Sequence, residues 1–495
     1  MTALPTSFWS LVEFATREHP DQVVLADDHG RWLTAATLRD AAEQTAAGLY
    51  ALGVEPGDVV SWQLPTMLES AVLMAACARL GAVQNPIIPV FRREVGFIVN
   101  QVDARLVIVP ERWADFEHAE HARTTGRQVL ALDLECEPED GMRLPAGSPA
   151  SLPAPLPMEP DAARWIYFSS GTTADPKGAR HTDASVMASS NGVVDGLGLS
   201  ADDVYPIAWP IAHIGGVTML TAVLRTGGRL VLFDTFDPAT TAERMAAHQP
   251  TILGSATPFF QMYIAAQRRH GSEALFPNLR TCVAGGAPTP TVINQQVQEV
   301  LGVSGAVGSW GLTEFPVATS ETPDDPSVGT TVGPPAAGVQ MRIVDGELRL
   351  TGPSCFLGYV DASLDADAFD EDGWFRTGDL GSVDDDGRIR IEGRIKDVIM
   401  RNAENISALE VEEALSQHPS VADVAVIGVP HDRKGEQVCA VVVAAPGHEV
   451  QLSELVEHCR EAGLARYKCP ERLKVVDALP RNTMGKIVKR EIRVG

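Results

Sequence analysis

Short apolar runs alternate with segments of helical length along the chain up to Gly311, and this alternation is the strongest constraint on the fold. Apolar runs predict strands at 23–26, 59–64, 106–109, 129–132, 165–168, 204–208, 229–233, 251–253 and 279–283. Helical spacing of apolar residues predicts helices at 8–18, 33–52, 67–80, 183–194, 215–224, 238–248, 258–269 and 290–301. Strands that alternate with helices form βαβ units, so the pattern predicts an α/β fold with a largely parallel sheet.

The pattern changes beyond Gly311, where glycine and proline become frequent. Runs of period two at 340–344 and 347–350 predict antiparallel strands or a small barrel. A boundary is predicted near residue 395. A compact module follows it, with helices predicted at 409–416 and 452–461 and strands at 424–429, 438–443 and 473–476. Because a chain of 495 residues is too long to fold around a single hydrophobic core, we expect about two to four domains.

The charge balance limits the classes of partner. The formal net charge of -25, from 40 Lys and Arg against 65 Asp and Glu, disfavours nucleic acid and anionic membrane surfaces. Residues 1–9 have no basic region and no apolar core of the length typical of a signal peptide, and no uninterrupted apolar stretch reaches about 18 residues. We therefore expect a cytoplasmic protein without an integral membrane segment. The seven cysteines form no CxxC pair and no metal-type cluster. We therefore expect core thiols, with a catalytic cysteine as the alternative.

A loop rich in glycine and hydroxyl side chains follows the strand predicted at 165–168. Glycine N–H groups, hydroxyls and a lysine are donors that hold phosphate groups. Because Lys177 is followed by Gly178 rather than by Ser or Thr, the loop departs from the common P-loop pattern. A plain exposed loop is the alternative that this composition leaves open. The candidate phosphate-binding residues are Ser169, Ser170, Gly171, Thr172, Thr173 and Lys177.

Further polar clusters follow downstream, at 284–288, 308–314, 374–380, 392–397 and 480–486. Each alone is weak evidence, because most Gly-Asp and Gly-Lys pairs are turns. In this order, and together with the loop, they resemble the adenylate-forming superfamily of acyl-CoA synthetases, adenylation domains of peptide synthetases and firefly-type luciferases. The resemblance extends from the N-terminal helix to Lys486. It implies a large N-terminal domain (1–395) of two α/β subdomains and a small β-barrel, hinged to a small α+β C-terminal domain (396–495).

The resemblance also implies an ATP site. The loop would hold the β- and γ-phosphates, Trp310 would stack on adenine, and Thr313 would reach the α-phosphate. Glu314 would ligate Mg²⁺, which a carboxylate beside a triphosphate requires, and Asp379 would accept from the ribose hydroxyls beside Arg394. The other residues implied at the nucleotide are Gly286, Ala287, Pro288, Ser309 and Gly311.

Three of these residues have ordinary alternatives. Trp310, which stands where the family commonly has tyrosine, is open to explanation as a core tryptophan. Asp379 follows Gly378 and is open to explanation as a turn carboxylate. Arg394 has a surface ion pair as its alternative.

Lys486 resembles the catalytic lysine of the family, whose point charge bridges the incoming carboxylate and the α-phosphate. With Thr313, Glu314 and His213 it makes up the implied catalytic set. His213 matches a position at the mouth of the acyl pocket, although a lone histidine is more often structural. Lys396 matches the hinge between the two domains.

Asn402, Ala403 and Glu404 correspond to the loop that lines the pantetheine tunnel of CoA ligases. Relatives commonly have Gly-Gly where this chain has Asn402 and Ala403, and a further glycine in the phosphate loop where it has Ala174. Side chains at 402 and 403 are expected to narrow the tunnel, while a positive φ at position 174 would strain alanine.

The resemblance implies that a carboxylic acid, ATP with Mg²⁺ and coenzyme A react through an acyl-adenylate to give acyl-CoA, AMP and pyrophosphate. The expected acyl pocket of His213, Val283, Gly285, Trp310 and Pro316 is apolar, which indicates an uncharged medium-chain, alicyclic, aromatic or steroid-derived acid. Transfer to a carrier protein is one alternative, and a non-catalytic nucleotide-binding homologue is another. The protein is expected to act as a monomer or homodimer on small molecules.

Overall fold

The computed structural model describes residues 5–135, 141–156, 159–169, 176–402, 404–482 and 485–494. The first part of the chain alternates strands and helices. Its elements are α1 (Phe8–Glu18), β1 (Val23–Asp27), β2 (Trp32–Thr34), α2 (Ala35–Ala51), β3 (Val59–Trp62), α3 (Leu68–Leu80), β4 (Val83–Pro86), α4 (Arg93–Gln101), β5 (Leu106–Pro110), α5 (His118–Arg123), β6 (Gln128–Leu132), β7 (Trp165–Ser169), β8 (Lys177–His181), α6 (Asp183–Leu197), β9 (Val204–Ile207), α7 (Ile214–Thr226), β10 (Arg229–Leu232), α8 (Thr241–Ala246), β11 (Ile252–Ser255), α9 (Thr257–His270), β12 (Thr281–Ala284), α10 (Thr291–Leu301), β13 (Ala306–Trp310) and β14 (Thr319–Ser320).

The second part is richer in antiparallel strands and carries fewer helices. Its elements are β15 (Gln340–Val344), β16 (Glu347–Thr351), α11 (Asp365–Ala368), β17 (Phe375–Val383), β18 (Ile389–Arg394), β19 (Val398–Arg401), β20 (Glu404–Ser407), α12 (Ala408–Ser416), β21 (Val421–His431), β22 (Gly435–Ala444), α13 (Leu452–Glu461) and β23 (Arg472–Val475).

Two α/β layers form the large N-terminal part. One sheet has the order β6-β5-β3-β4-β7-β8, and its strands run parallel except for β8, which is antiparallel to β7. The other layer consists of the sheets β2-β1-β10-β9 and β11-β12-β13-β14. These two sheets adjoin where the Thr251 N–H donates to the Val204 carbonyl at 3.0 Å. Every residue of β5 is buried, as expected for a parallel strand covered on both faces.

Two antiparallel sheets complete the fold. The strands β15 to β18 form a four-stranded antiparallel sheet, which confirms the antiparallel strands predicted for this region rather than the small barrel. The C-terminal sheet has the order β20-β19-β22-β21, with β23 paired to β22. It packs with α12 and α13 around a separate apolar core that includes Val411, Val426 and Leu455. The predicted mixed α/β architecture is confirmed, and below the C-terminal unit from β19 onward is called the small domain.

Several sequence predictions differ from the structure in detail. The helix predicted at 33–52 begins at Ala35. Leu33 belongs instead to β2, where it pairs with Leu25 of β1, and the Thr34 side chain caps the helix by accepting a hydrogen bond from the Thr37 N–H. Strand β4 was missed because its central residues are polar. Gln84 and Asn85 are buried there, and their side-chain amides donate to the carbonyls of Met74 and Ile166.

The cysteine prediction is confirmed in the described part of the chain. The thiols of Cys77, Cys282, Cys439, Cys459 and Cys469 are buried, and Cys355 is half-buried. Burial raises the pKa of Cys77, Cys355 and Cys459 to about 12, so these thiols stay protonated and unreactive. Cys136 lies outside the described residues. Within the described ranges, no helix is long and apolar enough to span a bilayer.

Candidate active site

A cleft of about 2750 Å³ gathers most of the residues that the sequence singled out. The carboxyl ends of β7, β12 and β13 contribute to its wall, as expected for parallel α/β sheets. Its lining includes Ser169, Lys177, His213, Val283, Gly285, Gly286, Ala287, Pro288, Ser309, Trp310, Gly311, Thr313, Glu314, Pro316, Asp379, Arg394, Lys396 and Lys486. Asn402 and Glu404 do not line it. Ser170, Gly171, Thr172, Thr173, Ala174 and Ala403 lie outside the described residues.

Asp379 is the centre of a hydrogen-bonded trio. The antiparallel register of β17 and β18 places it opposite Arg394, whose Nε donates to its Oδ1 at 2.6 Å. The Trp310 indole Nε1, at the end of β13, donates to its Oδ2 at 2.9 Å. Asp379 is only 4% exposed, so the ion pair is not the surface pair that was the alternative for Arg394. Trp310 is half-buried and faces the cleft, so it is not a plain core residue.

Tyr359 connects two of the candidate residues and was missed by the sequence analysis. Its hydroxyl donates to Glu314 Oε1 at 2.7 Å, and the Lys177 ammonium lies 5.4 Å from the centroid of its ring. Burial, followed by the Glu314 charge, raises the pKa of Tyr359, so the hydroxyl remains a donor. Its backbone bridges to Ala179 of β8. In the sequence, the preceding Gly358 indicates a turn but does not mark Tyr359 as a partner of Glu314.

His181 is a second residue that the sequence analysis missed. It is completely buried, and its Nε2 lies 2.9 Å from the Thr313 carbonyl oxygen. Its Nδ1 lies 3.1 Å from the Ser185 hydroxyl. Because burial lowers the pKa of His181 to about 4, the ring is neutral, with the Nε2 proton donated to Thr313. This hydrogen bond fixes the backbone next to Glu314.

His213 has a structural role of the kind that was its alternative. Its Nδ1 accepts a hydrogen bond from the Gly215 N–H at 3.1 Å and thereby caps α7. Burial lowers the pKa of His213 to about 4, so the ring is neutral and Nε2 carries the proton. The residue also lines the cleft, where this proton is available to an acceptor.

The apolar part of the cleft surrounds the positions expected to hold the acyl group. Val283, Gly285 and Pro316 lie on its wall with Val193, Leu197 and Met219. A Cβ at Gly285 would have only the Ser309 carbonyl oxygen nearby, at 3.9 Å, so this glycine leaves open space. Arg268 of α9 also lines the cleft, but this residue is exposed to solvent.

Lys486 enters the cleft from the small domain. The backbone N–H of Lys486 donates to Asn482 Oδ1 at 2.9 Å. The preceding Gly485 has a φ of 78°, and a Cβ there would lie 3.0 Å from Pro258 at the start of α9. Glycine therefore allows both the left-handed turn and the close approach. Burial, and then the charge of Arg394, lowers the pKa of Lys486 to about 8. Lys486 lines the same cleft as the Asp379 trio.

Asn402 explains one departure from the family pattern. Its φ of 48° is in the left-handed region, which glycine and asparagine tolerate best. Its N–H donates to the Lys434 carbonyl at 2.9 Å. Asparagine therefore suits this left-handed turn, at a position where the resemblance implies glycine.

The chain matches known sequences and structures over almost its whole length. The profile of the AMP-binding enzyme matches residues 12–360, and that of the AMP-binding enzyme C-terminal domain matches residues 410–486. A medium-chain fatty-acid–CoA ligase of Escherichia coli is 32% identical, over 96% of this chain and 87% of that protein. A methyl-dioxo-octahydroindenyl-propanoyl:CoA ligase of Mycobacterium tuberculosis is 33% identical, over 96% of each chain.

A solved structure gives the same result for the fold. The o-succinylbenzoate coenzyme A synthetase of Bacillus subtilis, in complex with ATP and a magnesium ion, is 25% identical and superposes with a TM-score of 0.83. The match covers 98% of this chain and 99% of that one. Structural neighbours of this kind share the large N-terminal and small C-terminal domains. The chain therefore belongs to the AMP-binding enzyme family, within the adenylate-forming superfamily.

Proposed function

We propose that this protein is an AMP-forming acid–thiol ligase that converts a hydrophobic, uncharged carboxylic acid to its CoA thioester. The observation that carries the proposal is that Lys486 lines the same cleft as the trio of Trp310, Asp379 and Arg394. This arrangement fits adenylation, because the nearly buried carboxylate of Asp379 would hold the ribose while the lysine from the small domain would neutralise charge at the α-phosphate. The two CoA ligases at 32% and 33% identity support CoA as the acceptor.

The proposed reaction has two steps. The substrate carboxylate attacks the α-phosphorus of ATP and expels pyrophosphate, which gives the acyl-adenylate. The thiol of CoA then attacks the acyl carbon and releases AMP, while its proton passes to solvent. In the first step Lys486 would neutralise charge between the carboxylate and the α-phosphate, and Thr313 would donate to that phosphate. The phosphate loop with Ser169 and Lys177 would hold the departing pyrophosphate.

The residues at Glu314 fit a magnesium ion. Glu314 is 9% exposed, and the Tyr359 hydroxyl donates to its Oε1, so Oε2 remains for a hard cation. Bound there, Mg²⁺ would supply positive charge to the phosphates of ATP. The neighbouring side chains of Tyr359 and Lys177 would orient the carboxylate and the phosphates.

Replacement of Tyr359 by phenylalanine tests this assignment. The variant keeps the ring beneath Lys177 but removes the hydrogen bond to Glu314, so we expect adenylation to fall about 10-fold, as for one hydrogen bond to a charged group. The magnesium concentration that gives half the maximal rate is expected to rise. Pyrophosphate release, measured over a magnesium titration, checks both. An unchanged titration would contradict the role of Glu314, and Tyr50→Phe at an exposed position is the control.

The small domain is proposed to rotate between the two steps. Lys396 would act as the hinge, with the domain boundary at residue 395, and rotation would withdraw Lys486 and bring Asn402, Ala403 and Glu404 to the acyl-adenylate. In the present arrangement Asn402 and Glu404 lie away from the cleft, as expected for the first step.

An assay of pyrophosphate release over a panel of acids tests the function directly. We expect release that depends on an uncharged medium-chain, alicyclic, aromatic or steroid-derived acid. A second assay compares free CoA with a phosphopantetheinylated carrier protein as acceptor. Faster transfer to the carrier would replace the CoA assignment with the carrier-loading alternative. If no acid in the panel releases pyrophosphate although ATP binds, the protein is a nucleotide-binding homologue.

A further inference from the structure

Helix α10 begins without a cap from its own segment. Its N-cap residue is Pro290, which has no side-chain acceptor, and its first turn contains no acidic residue. The N–H groups at the start of a helix need acceptors, and negative charge there is favourable. The first of these groups belongs to Thr291.

The missing acceptor comes from the small domain. The Thr291 N–H donates to Glu413 Oε1 of α12 at 3.1 Å. The other two glutamates of α12 form ion pairs within the small domain. Glu410 pairs with Lys468 at 2.7 Å, and Glu412 pairs with Lys489 at 2.7 Å. Glu413 is therefore the carboxylate of this helix that reaches the large N-terminal part.

The same interface includes the loop of Lys486. Gly485 packs against Pro258 and Ala256 of the large part, and the Glu413 contact lies on a different helix of that part. Two separated contacts fix the orientation of one rigid body against another better than one does. We propose that Glu413 is a positioning residue, which holds the small domain in the orientation that delivers Lys486 for adenylation. This inference rests on the proposed function.

The contact has a directional consequence. Rotation of the small domain removes Glu413 from α10 and leaves the Thr291 N–H without this acceptor. The cap therefore stabilises the adenylation arrangement and not the rotated one. A variant without it shifts the balance of the two arrangements away from adenylation.

Glu413→Ala tests the inference, because alanine keeps α12 helical while removing the carboxylate. We expect pyrophosphate release without CoA to fall about 3- to 10-fold, the range for loss of one charged helix cap. Thioester formation from supplied acyl-adenylate is expected to be equal to that of the wild type or faster. The matched control is Glu410→Ala, which removes an exposed ion pair on the same helix and should change neither step.

Thr291→Pro removes the same hydrogen bond from the other side. Proline is favoured at the first position of a helix, and Pro290, with a ψ of 144°, accepts a following proline. We expect this variant to reproduce the selective loss of adenylation. The double variant should lose no more than the larger single loss, because both changes remove one contact.

Each outcome decides the matter. Unchanged adenylation in Glu413→Ala, an equal loss in both steps, or additive losses in the double variant would overturn the inference. The result is separable from the proposed function through Lys486→Ala measured in parallel. If Lys486→Ala loses adenylation and Glu413→Ala does not, only the role of Glu413 fails. If the wild type releases no pyrophosphate with any acid, the proposed function fails.

Discussion

Replacement of Lys486 by alanine is expected to lower acyl-adenylate formation at least about 100-fold, the scale of losing one preorganised charge in a transition state. Thioester formation from supplied acyl-adenylate should be spared, because the proposed rotation withdraws Lys486 before that step. Pyrophosphate release without CoA measures the first step, and thioester yield from synthetic acyl-adenylate measures the second. Lys468→Ala, in the same domain but paired with Glu410, is the control. Equal losses in both steps would refute the role of Lys486.

The pKa of Lys486 supplies an independent check on the same residue. Burial and Arg394 lower this pKa to about 8, so the free enzyme carries the ammonium below that pH and loses it above. Because adenylation requires the cation, kcat/KM for ATP should fall as the pH rises through about 8. Lys486→Arg keeps its charge and should remove this alkaline fall, even at a lower absolute rate. A wild-type profile that stays flat through this range would contradict the assignment.

The second large effect is expected from Asp379→Asn. The amide replaces one carboxylate oxygen by a donor, so Trp310 Nε1 or Arg394 loses its acceptor, and Arg394 loses the charge that compensates it. Breaking a buried charge pair is costly, and we expect kcat/KM for ATP to fall at least about 100-fold. Steady-state kinetics with varied ATP measure the effect, and calorimetric titration with ATP separates binding from chemistry.

A nearby carboxylate provides the control for this variant. Asp372 pairs with Arg342 at 3.0 Å, and its side chain is 69% exposed. Asp372→Asn should leave ATP kinetics unchanged, because exposed pairs contribute little. Thermal unfolding of both variants tells a local effect from loss of the fold. Normal ATP kinetics in a folded Asp379→Asn variant would exclude Asp379 as the ribose anchor.

The sequence predicted those parts of the molecule that depend on local patterns. Amphipathic spacing predicted α1 as 8–18, its exact observed bounds, and apolar runs located most strands of the parallel sheets. Strand β4 escaped because its buried residues are polar and satisfied by side-chain hydrogen bonds, which hydrophobic periodicity does not record. Helix α8 was predicted too long at 238–248. Asp237 instead holds the preceding turn through the Ala239 N–H, and the helix begins at Thr241.

The sequence predicted several candidate residues that line the cleft, but not the residues that hydrogen-bond to them. Motif order indicated Glu314, Asp379 and Lys486, because the resemblance was carried by clusters of residues close together in sequence. Tyr359 and His181 act across long separations, on Glu314 and on Thr313, and no local pattern marks such a pair. The contact of Glu413 with Thr291 likewise depends on how two separately folded units meet.

The two donors to Asp379 have a consequence for the choice of sugar, given the proposed role of this residue as the ribose anchor. Trp310 and Arg394 each occupy one lone pair on a different carboxylate oxygen, and each oxygen keeps another for a ligand. Two such acceptors, side by side and nearly buried, are matched to a pair of adjacent hydroxyls. A deoxynucleotide would leave one of these oxygens short of a partner in a place that water scarcely reaches. With Asp379 in its proposed role as the ribose anchor, the hydrogen bonds from Trp310 and Arg394 would make discrimination between ribonucleotides and deoxyribonucleotides a property of the protein before any nucleotide binds.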